Sequence, residues 1–354
     1  MPLTRERWKN AEQTCLESGA PQLCLHNRRA GSLVIFRALQ LGDMLCAVPA
    51  LRALRAALPT TCITLVGLPW AVQFAERFPD YIDDFVAFPG HHSLPEQPVR
   101  NDGVAAFYSA MRQQQFDLAL QMHGSGEVTN VIVQSFGAKC VAGFGLPVRH
   151  TGRDDCFFPY PDSGPEPLRL LDLTDRLGAP PVGTHLEFPL TDADERELAE
   201  SGVAAGLAPG RYLCVHPGAR WRDKCWPAEL FARVADKLAA EFGLKVVLTG
   251  SANEAELTAT VARHMRTAAV DAAVPLSIGA MAALMNRARL LLCNDTGVSH
   301  IAAGLKLRSV VVFSKADIRR WAPLDQQRHR CLWDPDGERA GEVLEEARAL
   351  LGDG

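Results

Sequence analysis

The sequence lacks a surplus of positive charge. Its 37 Lys and Arg stand against 41 Asp and Glu, giving a formal net charge of -4. That balance excludes a nucleic-acid binder relying on a broad basic surface, though not a single basic pocket. A membrane-spanning run is also missing. The longest uncharged stretch, residues 56–75, is broken by Pro59, Gly67 and Pro69 into a turn, a strand and a helix start. No secretory leader is expected, because Arg5, Glu6, Arg7 and Lys9 are followed by no apolar segment. Ten cysteines are present, but no two form a C-x-x-C pair. Several, such as Cys214 and Cys293, sit inside apolar runs, which favours buried reduced thiols in a cytoplasmic protein over zinc ligands. A P-loop, a G-x-S-x-G elbow and an H-E-x-x-H pair are all absent.

What is present is enough chain for two cores. The 354 residues are about twice the usual length of one domain. With 47% hydrophobic and 22% charged residues, the composition is that of a folded globular protein rather than a disordered one. Residues 1–30 read as a polar helix and a mildly basic linker ending in Arg28-Arg29, with contact to anionic lipid as the alternative. Short apolar runs at 32–36, 62–66 and 85–88, and a run at 117–121, alternate with helical patterns, as in a parallel α/β sheet. Residues 159–167 and 180–209 are rich in Pro and Gly and divide the chain. The alternation then restarts, with strands at 212–216, 245–249, 290–293 and 309–313. Helices are expected at 227–242 and 253–265, from Val298, and at 338–351. The expected domains are an extension (1–30), a first α/β lobe (31–180), a linker (181–209), a second α/β lobe (210–330) and a C-terminal helix (331–354).

Four loops carry residues suited to chemistry, and all follow strands, where open α/β sheets hold their ligands. In Gln40-Leu41-Gly42-Asp43, Asp43 is either a helix cap or a carboxylate facing the cleft as a general base. In Asn294-Asp295-Thr296-Gly297-Val298-Ser299-His300, free backbone N–H groups and a helix N-terminus offer a cradle for a diphosphate; a plain cap is the alternative. His300, one turn into that helix, suits a hydrogen bond that steadies the loop. In 216–227, Arg220, Arg222 and Lys224 gather positive charge that either offsets a leaving phosphate or lies solvated. In Thr249-Gly250-Ser251-Ala252-Asn253-Glu254, Glu254 is an acceptor for ribose hydroxyls. Together, one anionic loop in the first lobe faces three phosphate- or ribose-suited loops in the second. That division suits a cleft enzyme with acceptor and nucleotide donor on opposite lobes.

These residues resemble glycosyltransferase family 9, the ADP-heptose:lipopolysaccharide heptosyltransferases. The likeness lies in 34–54, in His216-Pro217-Gly218-Ala219, in Lys224-x-Trp226-Pro227 and above all in Asn294 to Ala303, in matching order over 32–315. The resemblance implies a GT-B fold of two facing Rossmann-like lobes, with the last helix crossing back to the first. It implies inverting transfer from an ADP-heptose-like donor to a lipid-linked or glycan acceptor of the lipopolysaccharide core, at the inner face of the cytoplasmic membrane. Asp43 falls on the catalytic aspartate and Lys224 on the lysine that meets donor phosphate and sugar. Gly42, Arg220, Glu254, Asp295, Thr296, Gly297 and His300 fall in the donor-binding set. No cofactor and no metal are required, since Lys224 and backbone amides would stabilise departing ADP, and Mg2+ is compatible but not needed. Three departures stand out. About 30 extra residues precede the first strand. Gln121-Met122-His123-Gly124 replaces an Asp-x-Gln-Gly run, making His123 and Gly124 the candidates for acceptor contact. Arg220 stands where a small hydroxyl residue is common. The competing expectations are a transferase or epimerase using another nucleotide sugar on this fold, or a non-catalytic nucleotide-sugar-binding protein.

Overall fold

The structure, a computed structural model, describes residues 30–145 and 155–352. The expected N-terminal helix and linker, Arg28-Arg29, Cys15 and Cys24 lie outside the described residues.

The first lobe runs β1 (Ser32–Phe36), α1 (Leu41–Cys46), α2 (Val48–Ala57), β2 (Cys62–Gly67), α3 (Val72–Arg77) and β3 (Asp84–Ala87). It continues with α4 (Asn101–Gln114), β4 (Leu118–Gln121), α5 (Thr129–Gln134), β5 (Cys140–Phe144), β6 (Cys156–Phe158) and α6 (Glu166–Arg176). After α7 (Asp192–Ser201) the second lobe runs β7 (Tyr212–His216), α8 (Ala228–Phe242), β8 (Lys245–Thr249), α9 (Ala255–His264) and β9 (Ala269–Ala272). It ends with α10 (Ile278–Asn286), β10 (Leu290–Asn294), α11 (Gly297–Leu305), β11 (Ser309–Phe313), α12 (Ile318–Trp321), β12 (His329–Trp333) and α13 (Ala340–Gly352).

Each lobe is built on a six-stranded sheet, ordered β3-β2-β1-β4-β5-β6 in the first and β12-β11-β10-β7-β8-β9 in the second. Every strand pairing in both is parallel. Renumbered from its first strand, the second order repeats the first, so both lobes are Rossmann-like. The strand order reverses between β1 and β4 in one and between β7 and β10 in the other. Such a reversal opens a crevice at the carboxyl ends of the strands, and each of the loops singled out above leaves a strand at or beside one of these points.

The central strands are apolar because helices cover both faces. Leu33, Val34, Ile35 and Phe36 of β1 and Leu290 to Cys293 of β10 are fully buried; each such side chain contributes roughly 1.5–3 kcal/mol of burial. One hydrophobic cluster is continuous across the lobes, joining Met44 and Leu45 of α1 to Val298 and Ile301 of α11. The lobes are therefore packed together along the cleft floor.

Two expectations about organisation are corrected. The segment expected as linker contains a ten-residue helix, α7, whose cap is a reciprocal pair: Thr191 Oγ1 accepts from Asp194 N–H, and Asp194 accepts from Thr191 N–H. It docks on α10, where Glu197 accepts from Ser277 N–H at 2.7 Å. The last helix does not cross to the first lobe. Val343, Ala347, Leu350 and Leu351 of α13 pack into the second core. Arg308 and Arg289 of that lobe donate to the last-turn carbonyls of Leu350 and Leu351, both at 2.7 Å. Among the described residues, no helix is long and apolar enough to cross a membrane.

Candidate active site

Between the lobes lies a cleft of about 620 Å³. Its lining brings together Gly42 and Asp43 from the first lobe with Arg220, Lys224, Glu254, Asp295, Thr296, Gly297 and His300 from the second. The nine residues were scattered over more than 250 positions of sequence; the fold places them around one space.

The floor is made by two glycines. A Cβ on Gly42 would stand 3.0 Å from His300 Cδ2 and 3.4 Å from Gly297 Cα. One on Gly297 would stand 3.3 Å from Gly42 N. The N-terminal ends of α1 and α11 thus meet almost backbone to backbone, and a side chain at either glycine would require its neighbours to give by a few tenths of an ångström.

Asp43 is not a helix cap. It sits within the first turn of α1, whose cap position, Gln40, makes no side-chain capping bond. Burial raises the Asp43 carboxyl above the ordinary carboxylate value. Arg37 opposes that rise, Glu166 adds to it, and His123 and Arg320 oppose it further. A carboxylate with a raised pKa in a cleft suits proton acceptance better than a solvated one does. Its backbone is fixed by Arg37, which is 1% exposed. Arg37 Nε and Nη2 donate to the Asp43 carbonyl at 3.0 and 2.7 Å, and Nη1 donates to the Met122 carbonyl. Sequence reasoning passed over Arg37, which stands inside the resembling run; a lone Arg directly after an apolar strand was the available signal.

On the opposite wall, the loop after β7 is tied down by Asn294, a fully buried residue at the end of β10. Its Oδ1 accepts from Trp226 N–H at 2.8 Å and its Nδ2 donates to the Pro217 carbonyl at 2.7 Å. The Trp226 indole N–H in turn donates to Asp334 at 2.9 Å. These bonds hold the turn Arg222–Lys224, from which Lys224 reaches into the cleft. Lys224 Nζ lies 3.2 Å from Asp295 Oδ2. Burial raises the Asp295 carboxyl; Lys224 counters it by charge and hydrogen bond, and Asp43 adds to the rise. Asp43 and Asp295 therefore sense each other across the cleft, with the lysine held by Asp295.

Arg220 and the exposed Trp221 form the outer rim, with the guanidinium 5.3 Å from the indole ring centroid. Glu254 lies at the far end. Its Oε2 accepts from Ser251 N–H at 2.8 Å and Ser251 Oγ at 2.7 Å. Burial opposes its ionisation, but His216 and the two Ser251 bonds outweigh this and keep the carboxyl below its usual range. His216 beside it is buried, with Nδ1 3.1 Å from Thr249 Oγ1.

His300 reaches across to the first lobe. It is 4% exposed, and Nδ1 lies 3.7 Å from Cys46 Sγ in the first lobe. Burial drives its pKa down to about 4, so the ring is neutral at ordinary pH. The two acceptor candidates stand apart from the cleft lining. His123 is 6% exposed, stacked on Phe36 with centroids 5.4 Å apart, and its Nδ1 faces the Ala38 N–H at 3.3 Å. Gly124 occupies a turn at φ +67 with open space beside it. Among the described residues, no group of three or more His, Cys, Asp or Glu could hold a metal ion.

This arrangement can hold an anion on the second lobe and a hydroxyl on the first. The family model "Glycosyltransferase family 9 (heptosyltransferase)" matches residues 104–341, more than half of the chain. Lipopolysaccharide heptosyltransferase 3 of Escherichia coli is 31% identical over 131 residues, 36% of this chain and 37% of that protein, so the aligned part spans little more than a third of its length. Among solved structures, the glycosyl transferase family 9 protein of Veillonella parvula covers 94% of this chain and 100% of its own, at 21% identity and a TM-score of 0.78. The E. coli ADP-heptose lps heptosyltransferase II covers 91% and 98%, at 19% identity and a TM-score of 0.71. These likenesses extend over both lobes and give the arrangement its name, GT-B. A fold shared end to end and a family model matched across the loops after β7, β8 and β10 lead to one conclusion: the chain belongs to glycosyltransferase family 9, the heptosyltransferase family.

Proposed function

We propose that the protein is an inverting glycosyltransferase that moves a heptose from ADP-heptose to an acceptor of the lipopolysaccharide core. The observation that carries this reading is the division of one cleft. A buried carboxylate, Asp43, stands on the first lobe, and a cation with a helix N-terminus, Lys224 and α11, stands on the second.

In this mechanism Asp43 takes the proton of the attacking acceptor hydroxyl. The hydroxyl oxygen bonds to the anomeric carbon as the bond to the donor diphosphate breaks on the opposite face, so configuration inverts in a single displacement. Lys224, Arg220 and the backbone N–H groups at Thr296 and Gly297 receive the charge that develops on departing ADP. Asp295 holds Lys224 in place until the diphosphate arrives. Glu254 accepts from the ribose hydroxyls. The same proposal includes an acceptor met at the inner membrane face, where lipid-linked sugars are presented.

Two measurements test it. Asp43→Asn removes the base while leaving the nucleotide wall intact, so turnover falls by roughly 10²–10⁴-fold and ADP still binds in calorimetry. Full activity in that variant removes Asp43 from the mechanism. Calorimetry with ADP, UDP and GDP ranks the nucleotides, and a clear preference for UDP sinks the ADP assignment. ADP binding with no ADP released from any donor, acceptor supplied, points instead to a non-catalytic nucleotide-sugar-binding protein.

A further inference from the structure

A chain of charges, buried at Arg37 and Glu166 and partly exposed at Arg320, runs beneath Asp43 and crosses the boundary between the lobes. Glu166, at the start of α6 in the first lobe, has a side chain only 4% exposed. Its Oε1 is 3.3 Å from Arg37 Nη2. Its Oε2 accepts from Arg320 at 2.9 Å, and Arg320 belongs to α12 of the second lobe. Arg320 also donates to the Tyr160 hydroxyl at 2.8 Å and lies 4.7 Å over the Trp321 ring. Glu166 is withdrawn from water while Arg320 stays partly exposed, and a carboxylate buried this far persists only when geometry and further hydrogen bonds compensate the lost hydration. Here both conditions are met, and Arg37 links the pair to the carbonyl of Asp43.

We propose that Arg320 is a positioning residue for Asp43, acting across the lobe boundary through Glu166 and Arg37; the inference rests on the reading of Asp43 as the base. Neither Arg320 nor Glu166 lines the cleft. The charged or titratable groups that face Asp43 are Arg37 and Cys46 from β1's end and α1, His123 from the turn after β4, Glu166 from α6, Arg320 from α12, and Asp295 with its partner Lys224 across the cleft. Of the bridging pair, Arg320 favours the carboxylate form of Asp43 and Glu166 disfavours it.

That opposition separates positioning by charge from simple fastening. Removing either partner breaks the same bridge. If the bridge only fastens the lobes, both variants admit water to Asp43, the burial effect weakens, and Asp43 titrates lower in both. If the bridge sets the field at Asp43, Arg320→Gln moves its titration up and Glu166→Gln moves it down.

The experiment is a carbon-13 carboxyl titration of Asp43 in the full-length protein, with the signal assigned by its loss in Asp43→Asn. Opposite shifts in the two variants, with Arg320→Lys near the parent, are the expected result. Shifts in the same direction, no shift, or Arg320→Lys behaving like Arg320→Gln would overturn the proposal. Turnover gives a second reading, as ADP released from ADP-heptose with a heptose-deficient lipopolysaccharide core as acceptor. There the acid limb of kcat follows the same opposite movements, while donor KM changes by less than about threefold. Failure of the base reading looks different: Asp43→Asn then turns over at the parent rate, whatever the titrations show.

Discussion

Asn294 is the residue whose replacement tests the second-lobe wall of the cleft, the proposed donor side, most directly. Its side chain is fully buried; it accepts from Trp226 N–H and donates to the Pro217 carbonyl, with a longer contact of 3.5 Å to the Gly218 carbonyl. Asn294→Ala leaves a buried donor and a buried acceptor without partners. Each orphan costs about 1–3 kcal/mol, so the variant loses on the order of 2–5 kcal/mol. With ~2–4 °C per kcal/mol for a unit of 150–250 residues, melting falls by on the order of 10 °C. The loss has a second consequence, because the loop these bonds fasten carries Arg220, Trp221 and Lys224. Scanning calorimetry with and without ADP reads both: the melting temperature falls, and so does the stabilisation gained from a fixed ADP concentration. Asn294→Asp sharpens the test. Its carboxylate can still accept from Trp226, but it sets a second oxygen against the Pro217 carbonyl. Burial would raise that carboxyl's folded-state pKa, so its defect relative to the parent is smallest at low pH and grows as pH rises. If Asn294→Ala melts with the parent and binds ADP equally well, the account of this wall is wrong.

Other substitutions probe single features. A Cβ at Gly218 would stand only 1.9 Å from Glu254 Oε1, so Gly218→Ala swings the carboxylate away; calorimetry should show ADP affinity down by about tenfold, equivalent to roughly 1.4 kcal/mol, with melting little changed because a flexible side-chain end can yield. His300 and His329 are both held down to about 4 by burial, below the unfolded value of about 6.5. The unfolded chain then binds more protons between those values, so the stability they contribute is present above pH 6.5 and is lost as pH falls towards 4. His329→Asn, whose amide can keep the bond to Ser309 Oγ now 2.8 Å long, should flatten the fall in melting temperature between pH 7 and pH 5, and an unchanged slope would rule His329 out as a contributor.

How much of this was legible in sequence varied with burial. Strands β1, β2, β7, β8, β10 and β11 are continuous apolar runs because sheet and helices cover them on both faces, and the expected bounds match closely. Of the four edge strands only β3 was expected, at 85–88; β6, β9 and β12 were not, nor was the buried β5, a short run ending Gly143-Phe144. In β9 the run Ala269–Ala272 includes Asp271, and β12 begins His329-Arg330; with only one neighbouring strand, neither needs to be wholly apolar. Helix α7 was hidden inside the stretch 180–209 read as Pro- and Gly-rich, and α6, which begins at the end of 159–167 and runs on to 176, was passed over, although Glu166-Pro167 at a helix start and the Thr191-x-x-Asp194 capping box were in the sequence.

The sequence by itself determined the local parts of this protein. Polar and glycine residues directly after buried strands marked Asp43, Lys224, Glu254 and the 294–300 loop, because a parallel sheet delivers its chain ends to one side. Tertiary structure alone decided what those parts meet. An amphipathic helix such as α13 shows which face it buries but not against which lobe, since either core would accept it. Arg37, Glu166 and Arg320 are ordinary charged residues until folding brings positions 129 and 154 residues apart into contact. Charge interactions depend on distance in space and on exclusion of water, and neither is a property of the order of residues along the chain.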